Sequence, residues 1–265
     1  MWEHPVRQRL QQGLPVLAST VTTANPEVAA HMAGLGFHLL WVEMEHSPIT
    51  LETLRLMVLA TRGLPAAIFA RVPVNDLWTA KRVLDQGVSG VIFPFTRTPE
   101  LAKQAAGACH YPPCGRRGAG ANLAMATWPE KETSYYDSAD RNVVVVAVVE
   151  DQAGLENVDA IAATPGIDVI FIGTTDLSFS LGLRGRQDEP EHRAAVERIV
   201  AAARRHGKAA GRPAADAAKI AEYVEQGFQF FQTSTELGLL SAGARQLLEP
   251  LGLQPAAPAQ PRALY

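Results

Sequence analysis

NVVVVAVVEDQAGLENVDAIAATPGIDVIFIGTTDL, running from Asn142 to Leu177, is the stretch that decides the fold. Val143 to Val149 and Ile167 to Ile172 are apolar runs without alternation and rich in β-branched residues. Such runs suit strands covered on both faces, as in a parallel sheet. Between them, from near Gly154, the residues Leu155, Val158, Ile161 and Ala162 fall three and four apart, which is helical spacing. The stretch therefore reads as one βαβ unit. Each strand is followed by a carboxylate, Glu150 and Asp176, near its carboxyl end, where α/β folds place their chemistry. Either acid alone reads equally well as a strand-end group meeting solvent or a helix N-terminus. The pair, at equivalent places on neighbouring strands, reads as two hard oxygen ligands and a seat for Mg²⁺ or Mn²⁺.

The same alternation extends in both directions. A leading helix covers Pro5 to Gln12, and strands are predicted at Leu14 to Thr20, Leu39 to Glu45, Ala66 to Val72 and Gly90 to Phe95. Four more follow: Val143 to Val149 and Ile167 to Ile172 within the quoted unit, then Lys208 to Arg212 and Phe228 to Thr233. Helix starts are marked by Asn25 before Pro26, by Thr50, and by Thr98 before Pro99, with Gly36, Gly63 and Gly87 as stops. Helices are also predicted at Asp76 to Gln86, Glu191 to Arg205, Ala214 to Gln226 and Glu236 to Leu248. Eight strand and helix repeats point to a single-domain (β/α)8 barrel over residues 1–251. An open doubly wound sheet would carry a GxGxxG after its first strand, and none is present. The segment from Tyr111 to Tyr136 reads as a long loop, a length more often functional than idle. Residues 252–265 are Pro and Ala rich and read as a disordered tail.

At 265 residues and 47% apolar content the chain can bury one large core. A net charge of −3 implies neither a nucleic-acid partner nor a membrane surface. The two cysteines, Cys109 and Cys114, suit a reduced cytoplasmic protein, and no apolar run is long enough to span a bilayer.

In a barrel, residues just past each strand share one rim. Here they are Glu43, Glu45 and His46, then Arg71, Glu150 and Asp176. His46 beside two acids and an Arg has the pKa range of a general base. Arg71 reads either as a rim salt bridge to Glu43 or Glu45, or as a fixed positive charge facing an oxyanion. Asp85 sits in the last turn of a helix, where it opposes the macrodipole; it reads as a solvated acid or as a local misfit with a function. No Lys stands at a strand end for Schiff-base chemistry, and no Gly-rich phosphate turn follows the last two strands.

The segments WVEMEHSP, FARVPVND, YPPCGRRG with ANLA, and VVEDQAGLENVDAIAATPGIDVIFIGTTDLS resemble, in order and spacing, the HpcH/HpaI family of metal-dependent (class II) 2-oxo-acid aldolases. These are relatives of the citrate lyase β subunit. The resemblance implies a barrel assembled as a homo-trimer or homo-hexamer whose last helix packs on a neighbour. It implies a divalent cation, Mg²⁺ or Mn²⁺ with Co²⁺ as an alternative, held by Glu150 and Asp176 together with pyruvate. His46 matches the base, Asp85 the acid that assists it from an adjacent protomer, and Arg71 the residue beside the enolate oxygen. Backbone amides of Gly173, Thr174 and Thr175 match those that hold the substrate carboxylate. The implied reaction is retro-aldol cleavage of a 4-hydroxy-2-oxo acid to pyruvate and an aldehyde. The chain departs from relatives at Val148, where they often have Gln, at EMEH for DGEH, at Thr20 for Trp, and at GTTD for GPAD. Two other readings are an acyl-CoA lyase of the citrate lyase type, for which Arg116 and Arg117 offer a small basic patch, and a non-catalytic oxo-acid-binding barrel.

Overall fold

The computed structural model describes residues 3–129 and 134–253. Eight parallel strands pair in chain order and close into a barrel. They are β1 (Val16–Val21), β2 (Leu39–Glu43), β3 (Ala67–Arg71), β4 (Gly90–Phe93), β5 (Val144–Val149), β6 (Val169–Ile172), β7 (Ala209–Pro213) and β8 (Phe228–Thr235). Helix α1 (Pro5–Gln11) precedes β1, and α2 (Pro26–Ala33), α3 (Leu51–Ala60), α4 (Leu77–Gln86) and α5 (Pro99–Cys109) follow the first four strands in turn. Next come α6 (Asn122–Thr127) and α7 (Tyr135–Asn142) before β5, α8 (Gln152–Glu156) and α9 (Val158–Ala162) after it, and α10 (Thr174–Ser180) and α11 (Pro190–Arg205) after β6. The last two are α12 (Ala217–Glu225) and α13 (Glu236–Leu248).

Strand β5 shows why the apolar runs do not alternate. Val144, Val146 and Val148 join Trp41, Phe69, Phe171 and Phe230 in the packed barrel interior. Val145, Ala147 and Val149 join the layer between barrel and helices. Every residue of the strand is buried, so both parities are apolar. The predicted N-caps hold: Asn25 accepts from Glu27 and Val28 amides, Thr50 from Thr53, and Thr98 from Leu101, whereas α2 and α3 stop at Gly34 and Thr61, ahead of Gly36 and Gly63. At the end of α4, Gly87 takes φ 106°, a left-handed conformation that terminates the helix.

Several boundaries move. The first strand starts two residues later than predicted, after Pro15, and the helix after β5 is two short helices that meet at Asn157. The stretch from Tyr111 to Tyr136 is not a bare loop: its middle forms α6 and its end starts α7, with residues 130–133 outside the described set. Of the predicted tail, residues 252–265, all but 252 and 253 also lie outside it. Among the described residues no helix is long and apolar enough to cross a membrane.

Candidate active site

The inward parity of β2, β3 and β5 delivers a charged group to the carboxyl-end mouth. On β5 the sequence of inward residues is Val144, Val146, Val148 and then Glu150, so the acid caps an apolar column. Glu43 ends the inward set of β2 above Trp41, and Arg71 that of β3 above Phe69. Register pairs Glu43 directly with Arg71. Arg71 Nε donates to Glu43 Oε2 at 2.6 Å, and its Nη1 lies 3.1 Å from Glu45 Oε2. Both salt bridges that the sequence offered as alternatives therefore form. Glu43 in turn accepts from the amides of Glu45 and His46, at 2.8 and 3.0 Å, which fixes the turn carrying the imidazole. His46 Nε2 lies 3.7 Å from Glu45 Oε2, with its side chain 67% exposed.

Glu150 is buried, and Oε1 accepts a 2.6 Å hydrogen bond from the Phe95 amide. Phe95 reaches it from a left-handed backbone, φ 45°, an unusual conformation for a non-glycine residue. Glu150 Oε2 lies against Gly173; a Cβ there would come within 2.5 Å of it. Burial is the main reason the Glu150 carboxyl is pushed up to about 7, with Glu45 and Asp176 adding to the rise and the Phe95 amide and Arg71 opposing it. Burial likewise raises Glu45, against Arg71 and His46, with help from Glu43 and Asp176. Asp176 thus acts electrostatically on both glutamates. Of the two structural readings open to it, a strand-end group or a helix N-terminus, it takes the second: it stands exposed in the first turn of α10.

Three glutamates therefore share one arginine, and Asp176 acts on two of them. Glu43 is paired, whereas Glu150 Oε2 and the Asp176 carboxylate make no hydrogen bond or ion pair with the described residues. No group of three or more His, Cys, Asp or Glu among those residues forms a ready-made cage. Two hard carboxylates in an excess of negative charge fit a small dication whose other positions are open to oxygen ligands.

Other predicted residues fall as follows. Gly173 follows β6 as the N-cap of α10, which Thr174 and Thr175 start, so all three border Glu150 or Asp176. Val148 is buried beneath Glu150 and offers no polar atom. Thr20 on β1 accepts from Gln232 Nε2 on β8 at 3.0 Å, forming a polar wall on the strands across the barrel from β5. Asp85 is not brought to His46 within the chain. It ends α4, which starts at the mouth and runs away from it, and its Oδ1 takes Arg117 Nη2 at 3.2 Å. Arg117 is fully buried, also bonds the Tyr135 hydroxyl, and lies over the Tyr111 ring, so it is not part of a basic surface patch.

The family profile described as HpcH/HpaI aldolase/citrate lyase matches residues 20–242. The chain belongs to this family. As a member it is a carbon–carbon lyase of the aldolase type. It is 35% identical over 230 residues to a 5-keto-4-deoxy-D-glucarate aldolase of Klebsiella pneumoniae, covering 85% of this chain and 88% of that protein. Among solved structures, an HpcH/HpaI aldolase/citrate lyase family protein from Burkholderia cenocepacia superposes with a TM-score of 0.86 at 30% identity, over 94% of this chain and all of that one. An HpcH/HpaI aldolase from Desulfitobacterium hafniense gives 0.86 at 25% identity, over 96% and 99%.

Sequence reasoning named Glu43, Glu45, His46, Arg71, Glu150 and Asp176 for this rim, where the structure brings them. It missed the part played by Glu45 in the carboxylate cluster, although Glu45 stood on the predicted rim. It also missed the Phe95 amide, for which a sequence gives no signal. The buried His192 had one: it precedes Ala195, Val196, Ile199 and Val200 at helical spacing, on the core face of α11.

Proposed function

We propose that this chain is a divalent-metal-dependent class II aldolase that cleaves a 4-hydroxy-2-oxo acid to pyruvate and an aldehyde, or runs the reverse addition. The observation that carries the reading is the pair of unneutralised carboxylates, Glu150 and Asp176, beside an arginine clamped in place by Glu43 and Glu45. Those two acids would hold Mg²⁺, Mn²⁺ or Co²⁺; such a cation, when bound, supplies Lewis acidity toward the oxygens of a 2-oxo acid. His46 takes the proton of the 4-hydroxyl. The C3–C4 bond breaks, its electron pair moves into the C2–C3 enolate, and the aldehyde leaves. Arg71 faces the enolate oxygen with Nη2, which has no partner among the described residues, and C3 of the enolate takes the proton back from His46 to give pyruvate. The amides of Gly173, Thr174 and Thr175 would receive the substrate carboxylate. Sugar-acid substrates of the kind named for the 5-keto-4-deoxy-D-glucarate aldolases form the substrate class to try first.

Asp85 would assist His46 from a neighbouring subunit, in a homo-trimer or homo-hexamer. Two surfaces support association. Leu237, Leu240 and Leu247 stand exposed on α13, in which only Glu236 is buried, and a groove of about 650 Å³ lies between α11 and α12. The last helix of a second copy would fill it, so Leu240→Asp is expected to shift light scattering toward the monomer. The free thiols of Cys109 and Cys114 suit a reducing compartment, which supports a cytoplasmic setting.

The test is pyruvate release, read by coupling to lactate dehydrogenase over a panel of 4-hydroxy-2-oxo acids. Chelation is expected to abolish it and added Mn²⁺ to restore it. Turnover indifferent to chelator defeats the proposal.

A further inference from the structure

Asp176 depends on main chain for its aim. Its carboxylate has no hydrogen-bond or ion-pair partner among the described residues, and α10, which carries it, opens at Gly173 without a side-chain cap. The start of this helix is instead tethered from outside. His192, on the first turn of α11, is 2% exposed, and its Nε2 lies 3.0 Å from the Thr174 carbonyl oxygen. A carbonyl only accepts, so Nε2 carries the proton and the imidazole is held in that tautomer. Two further contacts reach the helix start from outside: the Gly173 amide donates to the Val149 carbonyl at 3.2 Å, and an exposed, long one runs from Gln187 Nε2 to Thr175 Oγ1 at 3.4 Å. Within α10, Ser178 donates to the Thr175 carbonyl at 2.6 Å and accepts from the Gly185 amide at 2.9 Å, which ties the far side of the same turn to the following loop.

The position of His192 makes the histidine informative. Ala195, Val196, Ile199 and Val200 continue its face into the core, where an aliphatic residue would satisfy packing alone. A histidine adds one directed donor, and that donor goes to the turn two residues before Asp176.

We propose that His192 is a positioning residue that fixes the start of α10 and thereby sets how tightly Asp176 and Glu150 hold a divalent cation. This rests on the reading of those two acids as the cation seat. Partners that orient metal-binding side chains typically alter affinity about 10-fold to 100-fold when removed.

The test uses the metal-stripped full chain and Mn²⁺ alone, with binding read by electron paramagnetic resonance of free Mn²⁺ and folding by thermal melts. His192→Leu is expected to weaken Mn²⁺ binding about 10-fold to 100-fold. His192→Gln, whose side-chain amide can donate to the same carbonyl, is expected to recover most of it. In turnover the Leu variant should need more Mn²⁺ for half-saturation while keeping most of its rate at saturating Mn²⁺. If His192→Leu does not fold, His192→Asn, too short to reach, replaces it in the comparison with Gln. Wild-type affinity in a folded Leu or Asn variant overturns the proposal, as does equal weakness of the amide-rescue variant. A wild type that binds no Mn²⁺ overturns the cation seat itself, and is distinguishable because every variant then behaves alike.

Discussion

The Glu150 carboxyl, pushed up to about 7 mainly by burial, makes cation binding a proton-release reaction. A cation takes the carboxylate form only, so the proton must leave as the ion enters. With a pKa of about 7, roughly 0.9 proton is released per ion near pH 6 and roughly 0.1 near pH 8. Apparent affinity should then rise about tenfold per pH unit below 7 and flatten above about 8. The same shift bears on the metal-free fold. The ordinary value is 4.5, so between 4.5 and about 7 the folded chain binds more protons than the unfolded one. Stability from this group is therefore present at low pH and falls as pH rises through that window, by at most about 3 kcal/mol. Calorimetry of Mn²⁺ binding in two buffers of different ionisation heat reads the proton count directly. Identical heats in both buffers near pH 6, or a pH dependence that survives in Glu150→Gln, refute the reasoning.

Gly173→Ala places a methyl within 2.5 Å of Glu150 Oε2 and 2.6 Å of its Cβ, so the turn or the acid must move. Mn²⁺ affinity should drop at least about tenfold in titrations of the folded variant. Arg71→Met removes the charge facing the enolate and leaves Glu43 and Glu45 unpaired; kcat/KM for pyruvate formation should fall about 100-fold to 1000-fold. His4, buried at the opposite end of the barrel beside Ser89, has its pKa lowered to about 3, first by burial and then by Arg7. Its stabilising contribution is full above 6.5 and is lost as pH falls toward 3, at about 1.4 kcal/mol per pH unit, so urea midpoints of His4→Gln should fall less steeply with acid than those of the wild type.

Much of the barrel is legible in the chain because a parallel strand buried on both faces leaves an unmistakable run such as VVVAVV, and because helix caps at Asn25, Thr50 and Thr98 act locally. Where local signals compete, reading fails. TTDLSFS carries turn-forming Thr, Asp and Ser, yet it is helical because Leu177 packs in the core and His192 and Ser178 hold its first turn. The spacing of Leu155, Val158 and Ile161 hides the break at Asn157, whose side chain bonds back to the Ala153 carbonyl and to Arg97. In the site, strand ends place Glu150 and Arg71 predictably. The pairing of Asp85 with a buried Arg117 joins residues 32 apart in sequence through tertiary packing, which no periodicity encodes.

The most direct measurement is an anomalous difference map from crystals grown with Mn²⁺ and pyruvate. A single strong peak bound by oxygens of both Glu150 and Asp176, with the oxo acid completing its shell, is the result predicted. A map with Mn²⁺ elsewhere, or with those two carboxylates turned onto protein donors and pyruvate seated without them, would contradict the central claim.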